Sequence, residues 1–89
     1  MSARTYLGFD YGTKHIGIAV GGSASGRAEA LATASVRQGT PDWPLLDRLI
    51  NEWQPAALIV GLPLNMDDSE NAMTRAARKF GYRLQGRYN

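Results

Sequence analysis

Asp10 follows an apolar segment and precedes a glycine turn, in the sequence Phe9-Asp10-Tyr11-Gly12-Thr13-Lys14. A strand would hold that carboxylate rigidly, and carboxylate oxygens are the ligands that Mg²⁺ prefers. Gly12 permits a sharp turn or a close approach to a phosphate, while Thr13 and Lys14 add a hydroxyl and a positive charge. The segment therefore suits binding of a metal ion and a phosphate. Asp10 can equally cap a hairpin turn, and the spacing alone leaves both interpretations open.

A second acidic segment follows a short apolar run. Residues 56–60 are continuously apolar, and Asp67, Asp68 and Glu70 come shortly after them. Ligands of open α/β sheets bind outside the carboxyl ends of the strands, so these acids are candidate metal ligands. Asp67 and Glu70 also have the spacing of a helix N-cap and its third residue. For Glu70 both roles stay open, and they can coexist because a helix start attracts phosphates through its free N–H groups.

Basic side chains recur at four-residue steps near the end of the chain: Arg75, Lys79, Arg83 and Arg87, with Arg78 beside them. On a helix this spacing keeps the charges near one face, which suits a phosphate backbone. The alternative is a solvated helix face with cations toward its C-terminus, and the spacing alone favours that alternative. His15 has no spaced partner and is expected to be an exposed turn residue.

The elements that position these residues follow from hydrophobic periodicity. Residues 4–10 and 16–20 are predicted to form two strands of a hairpin. Residues 28–36 are predicted to form a third strand, although their many alanines leave a helix open. The three strands would start an α/β fold, with Asp10 at the end of the first.

The second half of the chain is predicted to be helix, strand, helix. Thr40 would cap the first helix, with Pro41 at its first position and Pro55 ending it. Residues 56–60 would then form a parallel strand covered on both faces. Asp67 or Asp68 would cap the final helix. The apolar stripes of the two helices are Trp43, Leu46, Leu49, Ile50 and Trp53 in the first and Met73, Ala76, Ala77, Phe80 and Leu84 in the second.

Composition narrows the class of protein. The chain has 89 residues, 44% of them hydrophobic, and a net charge of +2, so we expect at most one globular domain with a weak preference for polyanions. With no cysteine, a metal must be held by oxygen ligands or by His15. The lack of cysteine fits the reducing cytoplasm. No apolar run is long enough to cross a bilayer and no signal-peptide pattern is present, so no membrane association is expected.

Two motifs together resemble a known family. The segments FDYGTKHIGIAVG (residues 9–21) and VGLPLNMD (residues 60–67) are similar to the YqgF family, described as Holliday junction resolvase-like proteins or pre-16S ribosomal RNA nucleases. The resemblance covers essentially the whole chain. It implies an α/β, ribonuclease H-like fold with three antiparallel strands, then parallel strands with helices on both faces. Residues 1–89 would be the N-terminal part of one such nuclease domain, lacking its last strand and helix.

The resemblance also implies the site. Asp10 matches the catalytic aspartate of the first strand, and Glu70, then Asp67, is the preferred second acid, so Asp10 and Glu70 would hold Mg²⁺ or Mn²⁺. The substrate would be structured nucleic acid, either the 5′ end of pre-16S rRNA or a branched DNA junction, hydrolysed by metal-assisted attack of water. The phosphate backbone would contact Thr13, Lys14, Arg75, Lys79 and Arg83.

This sequence departs from the family at two places. Asp68 stands where the family often has glycine, and nothing matches the family's later strand with its Asp-Glu-Arg-Leu type motif. The third acid is therefore expected to be missing. If these 89 residues are the whole protein, the resemblance predicts an incomplete metal site and a loss of activity, even where the parent protein is a nuclease. The missing strand would also leave an exposed sheet edge that invites pairing between copies.

Two other functions use the same residues. Asp-x-Gly-Thr after a first strand also resembles the phosphate-binding turn of actin-like ATPases, Hsp70 chaperones and sugar kinases, but those proteins need two lobes and are far longer. The third hypothesis is a nucleic-acid-binding module that uses the basic helix without chemistry. Affinity for ATP would indicate the former, and salt-dependent binding without Mg²⁺-dependent cleavage would indicate the latter.

Overall fold

The computed structural model describes residues 3–89, which form one mixed sheet and two helices. The sheet order is β4-β3-β2-β1-β5, with β1 antiparallel to β2 and parallel to β5. This α/β arrangement is compatible with a ribonuclease H-like fold. No helix in the described part of the chain is long and apolar enough to span a membrane. The elements, in chain order, are β1 (Thr5–Tyr11), β2 (His15–Gly22), β3 (Ala28–Arg37), β4 (Thr40–Pro41), α1 (Trp43–Trp53), β5 (Ala57–Val60) and α2 (Ala72–Tyr88).

The predicted hairpin of β1 and β2 is confirmed. Phe9 lies opposite Ile18 and Asp10 lies opposite Gly17. Because side chains alternate along a strand, Leu7 and Phe9 face the core, whereas Asp10 faces the other side of the sheet. The Asp10 carboxylate therefore lies on one face of the sheet, while the side chains that anchor β1 in the core lie on the other.

Residues 28–36, for which the sequence allowed either a strand or a helix, lie in the strand β3, and the short strand β4 follows it. Val36, near the end of β3, is buried in the core. Gln38 and Gly39 then adopt positive φ values of 50° and 77°, as a type I′ hairpin turn requires, and the chain returns as β4. The prediction that Thr40 caps a helix starting at Pro41 was wrong, because both residues pair with β3 instead.

The helix α1 begins two residues later than predicted. Asp42 is its N-cap and accepts a hydrogen bond from the backbone N–H of Leu45 at 3.2 Å. The helix ends at Trp53, and Gln54 in the left-handed region precedes Pro55. The predicted end before Pro55 is therefore confirmed.

The cap predicted for α2 was also wrong. Asn71, and neither Asp67 nor Asp68, is the N-cap, and it forms a capping box with Thr74. The Thr74 hydroxyl is fully buried and also bonds to the carbonyl of Pro63. The start of α2 is thus tied to the chain that leaves β5.

Both helices pack on the same face of the sheet, so the expectation of helices on both faces was wrong for residues 3–89. The core combines Leu7, Phe9, Ile16 and Ile18 of the sheet with Leu46 and Leu49 of α1 and Phe80 and Leu84 of α2. On the opposite face Ile59 is 56% exposed, so the expectation that β5 is covered on both faces was wrong as well. Asp10 lies on this uncovered face.

Candidate metal and nucleic-acid site

Asp10 sits near the carboxyl end of β1, an interior strand of the sheet between β2 and β5, where its side chain is exposed to solvent. Its neighbours across the sheet leave space: Gly17 lies opposite it, and Gly61 follows β5 and donates its N–H to the carbonyl of Phe9 at 3.1 Å. Neighbouring glycines leave the carboxylate without bulky side chains around it. A strand paired on both sides holds its backbone, so the carboxylate is accessible on a rigid element.

A shallow trough of about 440 Å³ runs along the uncovered face, and among residues 3–89 Asp10 is the one charged side chain that lines it. Small residues form most of the wall, including Gly8, Gly17, Ala19 and Ala32. Gly61, the first residue of the loop that carries the second acidic segment, lines the same trough. The trough therefore joins Asp10 to the start of that loop.

The loop from Gly61 to Glu70 is held by its own hydrogen bonds. Asn65 donates through its side chain to the Ser69 hydroxyl at 2.9 Å and through its backbone to the Ser69 carbonyl at 2.9 Å. Its side-chain oxygen accepts from the amide of Asn71, the N-cap of α2, at 3.0 Å. Asp68 adopts φ 66° in the turn between them. Asn65 thus connects the turn that carries the acids to the start of α2.

Asp67 is engaged within this loop. One of its carboxylate oxygens accepts from the Ser69 hydroxyl at 2.5 Å and from the Ser69 N–H at 3.0 Å. The hydroxyl bond, followed by the backbone bond, lowers the pKa of Asp67 below its ordinary value. The carboxylate is ionised at neutral pH, with its second oxygen outside these two bonds.

Glu70 forms an ion pair with Arg78. Its Oε1 lies 2.6 Å from an Arg78 guanidinium nitrogen, and both side chains are partly exposed. The hydrogen bond to Arg78 holds the pKa of Glu70 below its ordinary value. Glu70 is not the third residue of α2, so the capping-box interpretation of Asp67 and Glu70 was wrong.

The predicted metal ligands do not form a three-carboxylate cluster. Within residues 3–89 there is no group of three or more His, Asp or Glu side chains placed to hold a metal ion. Asp10 faces the trough, whereas Glu70 is turned toward Arg78. Sequence spacing could not indicate this, because the partner of Glu70 lies eight residues away on the next helix.

The cations of α2 serve different purposes. Arg87 binds both carboxylate oxygens of Asp47 on α1, at 2.9 and 2.7 Å, and lies over the ring of Trp43. Tyr88 donates to the same carboxylate at 2.6 Å. The Arg87 and Tyr88 hydrogen bonds lower the pKa of Asp47 to about 2. Arg87 therefore holds the two helices together.

Lys79 and Arg83 lie on another part of α2, beside the β3–β4 turn. Arg83 donates to the carbonyl of Gly39 at 3.1 Å and lies 5.3 Å from the centre of the Trp43 ring. Both cations line a groove of about 190 Å³ together with Tyr11. Sequence spacing did not indicate Tyr11 as a site residue, because its contact with α2 depends on how that helix packs on the sheet.

Thr13 and Lys14 occupy the exposed turn between β1 and β2. His15 is exposed as expected, but it is the first residue of β2 rather than a turn residue. A Cβ added to Gly12 would lie 2.6 Å from the carbonyl oxygen of His15, so this tight turn requires glycine. The Lys14 carbonyl accepts from the N–H of Val36 at 2.8 Å. Two of the predicted phosphate-contacting residues, Thr13 and Lys14, therefore lie in a fixed turn directly after β1, the strand that carries Asp10.

Sequence similarity to known proteins identifies the family of this chain. Residues 4–89 match the model of the family RuvX, described as Holliday junction resolvase. The chain is 52% identical over 88 residues to a protein of Aeromonas hydrophila and 54% identical over 86 residues to one of Pseudomonas paraeruginosa, both named "Putative pre-16S rRNA nuclease". These matches cover 99% and 97% of this chain but 63% and 60% of the relatives, so the chain spans about three fifths of their length. The chain therefore belongs to the RuvX family.

Proposed function

We propose that this protein is a metal-dependent nuclease that hydrolyses phosphodiester bonds in structured nucleic acid, processing the 5′ end of pre-16S rRNA or resolving Holliday junctions. One observation carries the proposal: Asp10 is exposed near the end of the interior strand β1, opposite Gly17, and lines an open trough. The names of the relatives and of the family point to the same reaction class.

The residues around Asp10 fit a hard divalent cation. Mg²⁺ is usually bound by one or two carboxylates together with waters and substrate phosphates, so a cluster of three acids is unnecessary. Asp10 would supply the first carboxylate, and Glu70 would supply its Oε2, which lies outside the 2.6 Å contact with Arg78. When bound, Mg²⁺ or Mn²⁺ lowers the pKa of a coordinated water and offsets charge on the leaving oxygen.

The remaining residues would bind and orient the phosphate backbone. Lys14 and Thr13 lie in the turn that directly follows β1, the strand that carries Asp10. They would therefore bind a phosphate held near Asp10. Arg75 and Lys79 extend positive charge along α2, and neither takes part in the ion pairs found within residues 3–89. Because α2 packs on the face of the sheet opposite to Asp10, these cations would hold a part of the polyanion that passes around the end of β1.

Replacing Asp10 by Asn tests the proposal because it removes the carboxylate charge while keeping the side chain's size. Cleavage of labelled pre-16S rRNA and of a four-way DNA junction is measured with and without Mg²⁺, with the longer Aeromonas hydrophila relative as reference. We expect Mg²⁺-dependent cleavage that Asp10→Asn abolishes and that Glu52→Gln, an exposed acid on α1, leaves unchanged. Nucleic-acid binding, measured separately, should survive Asp10→Asn.

Two results would contradict the proposal. Cleavage that persists in Asp10→Asn would remove Asp10 from the chemistry. Cleavage by the relative but not by this chain, with salt-dependent binding intact, would make this chain a nucleic-acid-binding module without activity.

A further inference from the structure

We propose that the groove between α2 and the β3–β4 turn binds one unstacked nucleotide of a single-stranded segment, which rests on the nuclease function proposed above and specifies its substrate. The groove has a volume of about 190 Å³ and is lined by Tyr11, Gly39, Ala76, Lys79, Phe80 and Arg83. Its small volume suits one flat group rather than a larger ligand. Aromatic and cationic side chains meet here, and none of the described residues that line the groove is a carboxylate.

Aromatic rings form the base of the groove. The Tyr11 ring lies 5.1 Å from the Phe80 ring, centre to centre, with 31° between the two planes. Phe80 is buried and also contacts Phe9, so it fixes one side of Tyr11. The half-buried Tyr11 offers an aromatic surface to the groove. Single-stranded nucleic acids are bound by such surfaces, because every base has a face that can stack.

Two cations at the groove complement a phosphate. The Arg83 guanidinium is oriented by the Gly39 carbonyl at 3.1 Å and by the ring of Trp43. Arginine has five N–H donors, so most of them remain for a phosphate. Both ion pairs found within residues 3–89 involve other arginines, which leaves the charges of Lys79 and Arg83 unneutralised by carboxylates. A base on Tyr11 and a phosphate on these cations would match one nucleotide.

The position of the groove relative to Asp10 favours an unpaired strand. Tyr11 and Asp10 are consecutive in β1, so their Cα atoms lie about 3.8 Å apart while their side chains point to opposite faces of the sheet. A strand that contacts both must pass around the end of β1. A base inside a duplex is stacked and cannot enter a groove, and a duplex resists sharp bending. The cleaved bond would therefore lie next to an unpaired nucleotide.

Binding without Mg²⁺ tests the groove separately from cleavage. Affinity is measured by fluorescence anisotropy for a single-stranded RNA oligonucleotide carrying one 2-aminopurine and for a fully paired hairpin of equal length. We expect tighter binding of the single strand, with quenching of 2-aminopurine on stacking. Tyr11→Leu should weaken binding about tenfold, within the range for loss of base stacking, and Phe at the same position should restore it. Lys79→Gln should weaken binding more than Arg48→Gln, an exposed cation on α1 outside the groove.

Four binding results would overturn the proposal. Tighter binding of the hairpin, absence of quenching, or equal losses in Lys79→Gln and Arg48→Gln would remove the single-strand site. Competition by inorganic phosphate at the affinity of the oligonucleotide would reduce the groove to an anion site. If Tyr11→Leu does not fold, the quenching and the Lys79→Gln comparison still decide. Because Asp10 takes no part in this binding, lost cleavage with intact groove binding would refute the nuclease function alone.

Discussion

Replacing Phe80 by Ala should remove much of the stability of the chain. Phe80 is 1% exposed and contacts the rings of Phe9, Tyr11 and Trp43 at centre distances of 5.8, 5.1 and 6.2 Å. A buried Phe→Ala change costs about 3–5 kcal/mol, and aromatic contacts each add about 0.5–1.5 kcal/mol beyond buried area. We therefore expect a loss of about 4–5 kcal/mol. A chain of this length has about 4–13 kcal/mol in total, so the variant would be partly or largely unfolded.

Urea unfolding, followed by the fluorescence of Trp43 and Trp53, measures this loss. With a slope of about 1–3 kcal/mol per molar urea, the midpoint should fall by more than about 1 M, or the transition should disappear. Tyr82→Ala, at a 65% exposed position on the same helix, is the matched control and should change stability by less than about 0.5 kcal/mol. A loss below about 1 kcal/mol for Phe80→Ala would refute the packing of α2 on the sheet described above.

Two further predictions concern the helix pair and the turn beside Asp10. Because Arg87 and Tyr88 lower the pKa of Asp47 to about 2, its stabilising contribution is present above pH 4 and is lost as pH falls toward 2. The difference in urea midpoint between the native chain and Asp47→Asn should therefore shrink over this interval, and a constant difference would contradict the pairing. Gly12→Ala should lower the melting temperature, because its Cβ would lie 2.6 Å from a backbone oxygen, whereas Gly8→Ala meets no atom within 4 Å and should not. Equal effects of the two alanines would show that the turn has room to adjust.

Periodicity was enough to predict the main strands and helices, because each must bury one face. The residues at steps of three and four in α1 and α2 include Leu46, Leu49, Phe80 and Leu84, which are buried as expected. The strand β4 was not predicted because only the two-residue turn before it indicates a hairpin. Pro41 was interpreted instead as the first residue of a helix. Local patterns locate an element better than they locate its first residue.

The caps could not be ranked from sequence, since several suitable residues occur together before α2. Asn71 is the N-cap because its partner Thr74 is also anchored to the Pro63 carbonyl, a contact across the loop. The Asp67 carboxylate instead accepts a hydrogen bond from the Ser69 hydroxyl. Because tertiary contacts decide which residue is the N-cap of α2, local sequence spacing cannot predict it.

The sequence also could not predict that both helices pack on the same face of the sheet. The apolar run of β5 predicts burial on both faces, yet Ile59 is exposed, because within residues 3–89 the second face carries no helix. The position of Asp10 could be predicted, since a strand end next to glycines is a local feature. Its exposure on the uncovered face depends on where the helices pack.

The basic stripe of α2 was predicted with two alternatives, phosphate binding or a solvated helix face, and the structure divides the cations among several roles. Arg78 and Arg87 are paired with Glu70 and Asp47, so their charge is offset and their guanidinium groups stabilise a loop acid and a helix contact. Lys79 and Arg83 flank a groove that carboxylates do not line. Because an offset charge attracts a polyanion weakly, the attraction for phosphate falls to Arg75, Lys79 and Arg83, two of which lie at the groove beside Tyr11. Four-residue spacing alone cannot distinguish these cations, since the carboxylates that separate them lie outside α2.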